Sequence, residues 1–211
     1  MNQIVIFGAG GFGREIQWLI ERINEVSPQW EIKGYIDDGV SSGTVIDGYS
    51  VLGGSEYLLT YESELAVACA VGNARTRKKI IDNISRNKKL TFPNLIDPSV
   101  HMSKRIEFGR GNLICAANIL TVDIQIGDFN IINLDCTVGH DVEMASYITI
   151  YPSVNISGCV SIGELCEIGT GTQIIQEKEI TDEVIIGAGS VIMKDVKESG
   201  TYVGVPARKI K

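Results

Sequence analysis

The chain has 211 residues, with 19 Lys+Arg against 26 Asp+Glu and a formal net charge of −7. At 44% hydrophobic and 21% charged it has the composition of a folded protein rather than a disordered one, long enough for one large core or two small ones. The acidic balance speaks against nucleic acid or an anionic membrane as main partner, and no apolar run reaches the roughly 18 residues of a membrane span.

The opening MNQIVIFGAGG lacks a basic leader, so it reads as a buried strand (2–8) rather than a signal peptide. Residues 14–25 place Ile16, Leu19, Ile20 and Ile23 on one face, which predicts a helix. WEIKGYIDD (30–38) is a second strand ending in two acids, and ELAVACAVG (64–72) a third. A second helix covers 74–87, a last strand 90–96, and Pro98 marks a boundary. Strand and helix alternate, so residues 1–97 are expected to form a small Rossmann-like parallel α/β domain, with a second domain over 98–211.

Gly8, Gly10, Gly11 and Gly13 fit G-x-G-x-x-G between the first strand and the first helix. Glycines let a backbone approach a pyrophosphate, and the N–H groups of the helix start bind its charge. The plain alternative is a strand-to-helix turn that merely needs glycine. In this context the loop is read as binding a nucleotide-type ligand, with Asp37 and Asp38 as acceptors from a ribose or base. The domain holds only half of a doubly wound dinucleotide fold, which favours a single nucleotide, such as the UDP or dTDP handle of an activated sugar, over NAD. The basic run Arg75, Arg77, Lys78, Lys79 reads as a solvated helix face rather than a second phosphate site.

From residue 102 onward the sequence is periodic. Every sixth position from Met102 to Ile192 is apolar, sixteen in succession, which chance would give about once in several hundred thousand trials at this composition. The following position is often small (Gly109, Gly127, Gly139, Gly163, Gly169), and the position four after is small or β-branched (Cys136, Val142, Val154, Cys166, Thr172). Neither a helix nor a flat strand has a period of six. A short strand followed by a corner does, and three such units close a triangular coil of about eighteen residues whose stacked apolar posts form the core. Each buried Ile contributes about 1.5–3 kcal/mol. An irregular β-sandwich fits poorly, because its strands alternate by two. The 23 glycines, about 11% against a usual 7%, suggest many tight backbone corners.

His140 stands near a corner rather than at an inward post, and Asp141 follows it. Read alone it is an exposed corner histidine, although the carboxylate could support an imidazolium. His101 reads as structural. Cys69, Cys115, Cys136, Cys159 and Cys166 are odd in number with no CxxC pair. They read as small core residues, reduced in a cytoplasmic protein, with neither a disulfide framework nor a zinc site.

The hexapeptide pattern, with IIGAGSVIMKDV (185–196) and the ending YVGVPARKIK (202–211), resembles the left-handed β-helix acyltransferases. Handedness is what the resemblance implies; the period is silent on it. As a whole the chain is similar to the bacterial sugar acetyltransferases that join a small nucleotide-sugar domain to the β-helix. That branch includes N-acetyltransferases of UDP- or dTDP-linked 4-amino-4,6-dideoxy sugars, for surface polysaccharide synthesis, and sialic acid O-acetyltransferases. The resemblance implies a homotrimer with acetyl-CoA in the groove between coils, His140 as general base, Asp141 as its carboxylate and Asn133 as an active-site asparagine. It implies nucleotide contacts at Gly10, Gly11 and Phe12 in the loop, with Asp37 and Asp38, and acetyl-CoA contacts near Gly158, Thr170 and Ala188, largely through backbone groups. With two histidines in the chain, no metal is expected. Thr149 stands where amino-sugar members carry a second histidine, and is taken as a further acetyl-CoA contact.

The implied reaction is acyl transfer, with imidazole taking the proton of an acceptor amine as it attacks the thioester. An ordinary histidine, titrating near 6.5, suits this role, and base catalysis gives about 10²–10⁴-fold. Three rival readings stand beside it: sialic acid O-acetylation, a zinc enzyme on the same helix, which two histidines per chain make improbable, and a non-catalytic sugar-nucleotide-binding trimer.

Overall fold

A computed structural model describes residues 1–211, and the chain divides into two compact units, Met1–Pro98 and Ser99–Lys211.

The first unit is built on β1 (Asn2–Phe7), α1 (Gly11–Val26), β2 (Trp30–Ile36), β3 (Val45–Ile46), β4 (Tyr49–Gly53), α2 (Ser55–Leu59), β5 (Leu65–Cys69), α3 (Ala74–Ile84), β6 (Leu90–Thr91) and β7 (Leu95–Ile96). Six of the strands form a sheet in the order β3-β4-β2-β1-β5-β6. All pairings are parallel except β3–β4. The Val- and Ile-rich centre of β1 is buried, as a parallel strand covered on both faces must be. α1 turns Ile16, Leu19, Ile20 and Ile23 inward, as their spacing predicts. The β3–β4 hairpin and α2 have no counterpart in the sequence reading, and the stretch read as one strand over 90–96 is two short strands around Pro93. Proline lacks the N–H that a continuous ladder needs.

The second unit is a parallel β-helix. Strands of two or three residues pair with those one coil later, eighteen residues on: Leu113 with Ile131, Thr137 with Asn155, Gln125 with Glu143. Three such ladders form the three faces. The posts from Ile114 to Ile192 are buried, and so is the second inward column, Cys136, Val142, Val154, Cys166 and Thr172 among it. Met102, in the first coil, is 46% exposed. Buried Asn112, Asn118 and Asn130 are satisfied by the coil itself; the Asn118 side chain accepts from Cys136 N at 2.8 Å and donates to Cys115 O at 2.7 Å.

The corners differ from what the glycine count suggests. One residue in every six adopts a left-handed conformation, from Gly111 to Gly189, and most are not glycine: Asp123, Phe129, Asp141, Tyr147, Cys159 and Leu165 are among them. Such a conformation costs a non-glycine residue about 1–2 kcal/mol, which the inward isoleucine of the same repeat offsets at about 1.5–3 kcal/mol. The recurrence of glycine just after the posts answers to a different need. At Gly139 a Cβ would sit 2.6 Å from Gly158 N, so successive coils close on each other there only without a side chain.

Candidate active site

The glycine loop joins β1 to α1, and β1 lies between β2 and β5, where the sheet's connections diverge to opposite sides. This is the switch point at which open parallel sheets take ligands. The four glycines separate into two classes. Gly8 has φ +110 and a Cβ would lie 2.7 Å from Ala70 O, while one on Gly13 would collide with Gly8 O. These two are required by the turn and by the packing of helix on strand. Gly10 and Gly11 carry no such demand, since a Cβ on either meets nothing within 4 Å. Gly10 caps α1 without a side-chain hydrogen bond, so the loop leaves open space at the positive end of a 16-residue helix. Phe12 is half-buried beside it.

The two acids after β2 organise this edge from within. Asp37 Oδ2 accepts from Ala9 N at 2.9 Å and its Oδ1 from Gly39 N at 2.8 Å, which ties the glycine loop to the end of β2. Asp38 accepts from Ser55 N at 2.6 Å and from the Ser55 hydroxyl at 2.8 Å, holding the start of α2. Any bond from a ribose or base would add to these. Arg77 departs from the solvated-face reading: it is 1% exposed, and its guanidinium donates to Val71 O at 2.6 Å and Gly72 O at 3.0 Å. Arg75 and Lys79 are exposed as expected.

In the β-helix, the candidate base His140 stands at a corner. Its Nδ1 lies 2.7 Å from Asp141 Oδ2, and both side chains are more than half exposed. A carboxylate can only accept, so Nδ1 bears the hydrogen, and in the neutral ring Nε2 presents the lone pair. The coil repeat fixes the ring. Residue 158 stacks on 140, and there a Cβ would fall 2.5 Å from Nε2 and 2.6 Å from Cε1. Gly158 is the floor on which the imidazole rests, while His140 O accepts from Cys159 N at 2.8 Å.

The remaining residues named from the resemblance fall at other places. Asn133 follows the preceding post, and its Oδ1 accepts from Leu134 N at 2.7 Å, which engages it locally and not with His140. Thr170 and Ala188 are exposed and stack one coil apart at one corner, where Gly189 N donates to Thr170 O at 2.8 Å. Gly158 belongs to the corner of His140 instead. Thr149 is 1% exposed. This corrects its assignment as an acetyl-CoA contact, because a buried side chain has no face to offer a ligand.

The cysteines also divide. Burial pushes the thiols of Cys69 and Cys166 up to about 12 and that of Cys136 up to about 11, and Cys115 is buried as well. Cys159 alone is exposed. It occupies the left-handed corner one coil beyond Asp141, and donor atoms of His140, Asp141 and Cys159 all lie within 4.8 Å of one another. The reading of all five as core residues missed this neighbour. The eighteen-residue offset from 141 to 159 was the signal that could have found it.

A nucleotide-type loop at a parallel-sheet switch point, followed by a hexapeptide β-helix with a histidine–aspartate pair at a corner, is the combination expected of a two-unit sugar acetyltransferase fold. Comparison with known proteins agrees over both parts. Residues 3–84 match the domain family described as the PglD N-terminal domain. GDP-perosamine N-acetyltransferase of Escherichia coli O157:H7 is 28% identical over 100% of this chain and 97% of its own. Among solved structures, the acetyltransferase domain of PglB from Neisseria gonorrhoeae, also known in complex with acetyl coenzyme A, is 29% identical over 100% of both chains, with a TM-score of 0.90. A His-to-Asn variant of perosamine N-acetyltransferase from Caulobacter crescentus, in complex with CoA and GDP-perosamine, is 26% identical over 100% of this chain and 98% of its own, again with a TM-score of 0.90. From end to end the chain is a homologue of these acetyltransferases, and it shares their fold, a small α/β unit followed by a left-handed, hexapeptide-repeat β-helix.

Proposed function

We propose that the protein transfers the acetyl group of acetyl-CoA to the amino group of a nucleotide-linked 4-amino-4,6-dideoxy sugar, with His140 as general base. The observation that carries this reading is the His140–Asp141 pair at 2.7 Å, set in a chain that matches nucleotide-sugar N-acetyltransferases from end to end. The nucleotide's phosphates would meet the space left by Gly10 and Gly11 at the start of α1. The relatives that act on or bind GDP-perosamine add GDP to UDP and dTDP as candidate carriers. The pantetheine arm would run along the corners near Thr170, Ala188 and Gly158. Clefts between coils of neighbouring subunits in a homotrimer are the expected place where these meet, and the cytoplasm is the compartment in which both substrates would be supplied. No helix of the chain is long and apolar enough to cross a membrane.

In the reaction, Nε2 of His140 accepts a proton from the amine as its nitrogen attacks the thioester carbon. Asp141 keeps Nδ1 protonated, fixes the tautomer and stabilises the imidazolium that forms. The tetrahedral oxyanion collapses, the C–S bond breaks, and the CoA thiolate leaves to take up a proton. Asn133, with its Oδ1 on Leu134 N, would meet the acceptor through its Nδ2 donors. Holding both substrates in line supplies the rate beyond the roughly 10²–10⁴-fold of base catalysis.

The test is acetyl transfer measured across GDP-, UDP- and dTDP-linked 4-amino sugars, with free sialic acid as the competing acceptor. Transfer to an amino sugar supports the proposal. Transfer to sialic acid alone would replace it with O-acetylation, and binding at the glycine loop without turnover would leave a sensor.

A further inference from the structure

The corner that presents the base also assembles a ligand set, of which acetyl transfer uses the histidine and the aspartate but not the cysteine. His140, Asp141 and Cys159 each offer one donor atom, the atoms all lie within 4.8 Å of one another, and all three side chains are exposed. Two come from adjacent residues and the third from the next coil, brought beside Asp141 by the eighteen-residue stacking that pairs Thr137 with Asn155 on the same face. Nitrogen, oxygen and thiolate sulfur together suit a borderline-soft cation of the zinc class and disfavour magnesium or calcium, which take oxygen alone.

We propose that this corner is an inhibitory binding site for a zinc-class divalent cation, held by His140, Asp141 and Cys159 with a fourth position open to solvent. Zinc bonds nitrogen and oxygen at about 2.0–2.2 Å and sulfur at about 2.3 Å, so tetrahedral donors stand roughly 3.3–3.7 Å apart. Closing the cluster to that spacing takes side-chain movements of about 1 Å, and their exposure leaves these groups free to make them. The cation takes the lone pair of Nδ1, the hydrogen of that nitrogen moves to Nε2, and the Cys159 thiol binds as thiolate, giving its proton to solvent. A metal-bound imidazole no longer works as a proton acceptor held by its carboxylate. The cation therefore stops the chemistry by occupying the base itself. Cys159 has no part in the transfer and supplies only the soft ligand. The other four thiols are buried, which leaves Cys159 as the sulfur donor available to a cation in the folded protein. The inhibitory consequence rests on the proposed role of His140, whereas the binding itself does not.

Two measurements keep the claims apart. The full-length protein is titrated with cobalt(II) and followed by the near-ultraviolet band of a cobalt–thiolate bond, then back-titrated with zinc. One equivalent per chain, lost in Cys159→Ser and displaced by zinc, is expected. Acetyl transfer is then followed by loss of the thioester, since thiol titration would itself bind the metal, with zinc added and removed by a chelator. Reversible inhibition is expected, and Cys159→Ser should keep its metal-free turnover while needing about tenfold or more zinc, having lost one ligand of three. No thiolate band in the wild type, or equal zinc sensitivity in the variant, overturns the site. A thiolate band without any effect of zinc on turnover overturns the inhibitory role and, with it, the placement of His140 in the reaction.

Discussion

Gly158→Ala isolates the position of the base from the stability of the fold. Gly158 does not adopt a left-handed φ, so alanine meets no backbone strain there, but its Cβ would lie 2.5 Å from His140 Nε2, 2.6 Å from Cε1 and 3.0 Å from Cδ2. Ordinary contact begins near 3.5 Å, so the ring must retreat by about 1 Å. The imidazole is the end of a side chain that is 60% exposed, and it can swing into solvent at little cost to folding. Catalysis cannot follow it, because a misplacement of about 1 Å is worth roughly 10²-fold when reactants are held in line. The expected result is a melting temperature within a few degrees of wild type and a kcat lowered by about 10–10²-fold, measured by acetyl transfer at saturating concentrations of both substrates. A variant with wild-type kcat would refute the argument that the ring's seat on Gly158 sets the base. A loss confined to KM for acetyl-CoA would show that Gly158 serves the pantetheine path instead.

His140→Ala should lower kcat by about 10²–10⁴-fold with an unchanged circular dichroism spectrum; turnover near wild type would remove it from the mechanism. Gly10→Val places a side chain in the open space at the start of α1 and should raise KM for the nucleotide sugar about tenfold or more while leaving KM for acetyl-CoA alone, an obstruction of anion binding at a helix terminus; equal effects on both would place the nucleotide elsewhere. Thiol titration of the folded chain should find one fast cysteine, Cys159, and all five only in denaturant. Cys69, Cys136 and Cys166 are held by burial well above the range in which thiolates form, and more than one fast thiol would contradict that. Asp97→Asn removes the charge partner of Arg22, which donates to that carboxylate at 2.6 and 3.0 Å; the Arg22 side chain is 30% exposed, so its charge stays partly hydrated and the expected cost is about 1–2 kcal/mol in denaturant unfolding, whereas a change below about 0.5 kcal/mol, as for an exposed pair, would mean that the bridge is idle.

The β-helix was legible because its physics is periodic. A post every six residues must be apolar when stacked coils bury it, and Ile114 through Ile192 are buried as that spacing requires. The glycine count misled on a finer point, since Asp141, Tyr147 and Leu165 turn corners in a conformation usually left to glycine. Local preference yields there to the burial gained on either side. In the first unit, α1 followed from its apolar face, whereas the β3–β4 hairpin and α2 lack a periodic signal: two of these elements have only two and five residues. The buried Arg77 was unreadable for a related reason, because its partners are the carbonyls of Val71 and Gly72, which no side-chain pattern announces. At the site, the His140–Asp141 pair is adjacent in sequence and was visible. The approach of Gly158 and Cys159 arises only from coil stacking, through the same eighteen-residue repeat that had already given the fold.

The central claim is base-assisted acetylation of a nucleotide-linked amino sugar, and the direct measurement is single-turnover acetyl transfer by wild type and His140→Ala with one 4-amino nucleotide sugar and acetyl-CoA, both saturating. The account predicts stoichiometric N-acetylated sugar and free CoA from the wild type, with the variant slower by about 10²–10⁴-fold yet binding both substrates as tightly. Equal rates in the two proteins, or CoA released without acetylated sugar, would contradict it.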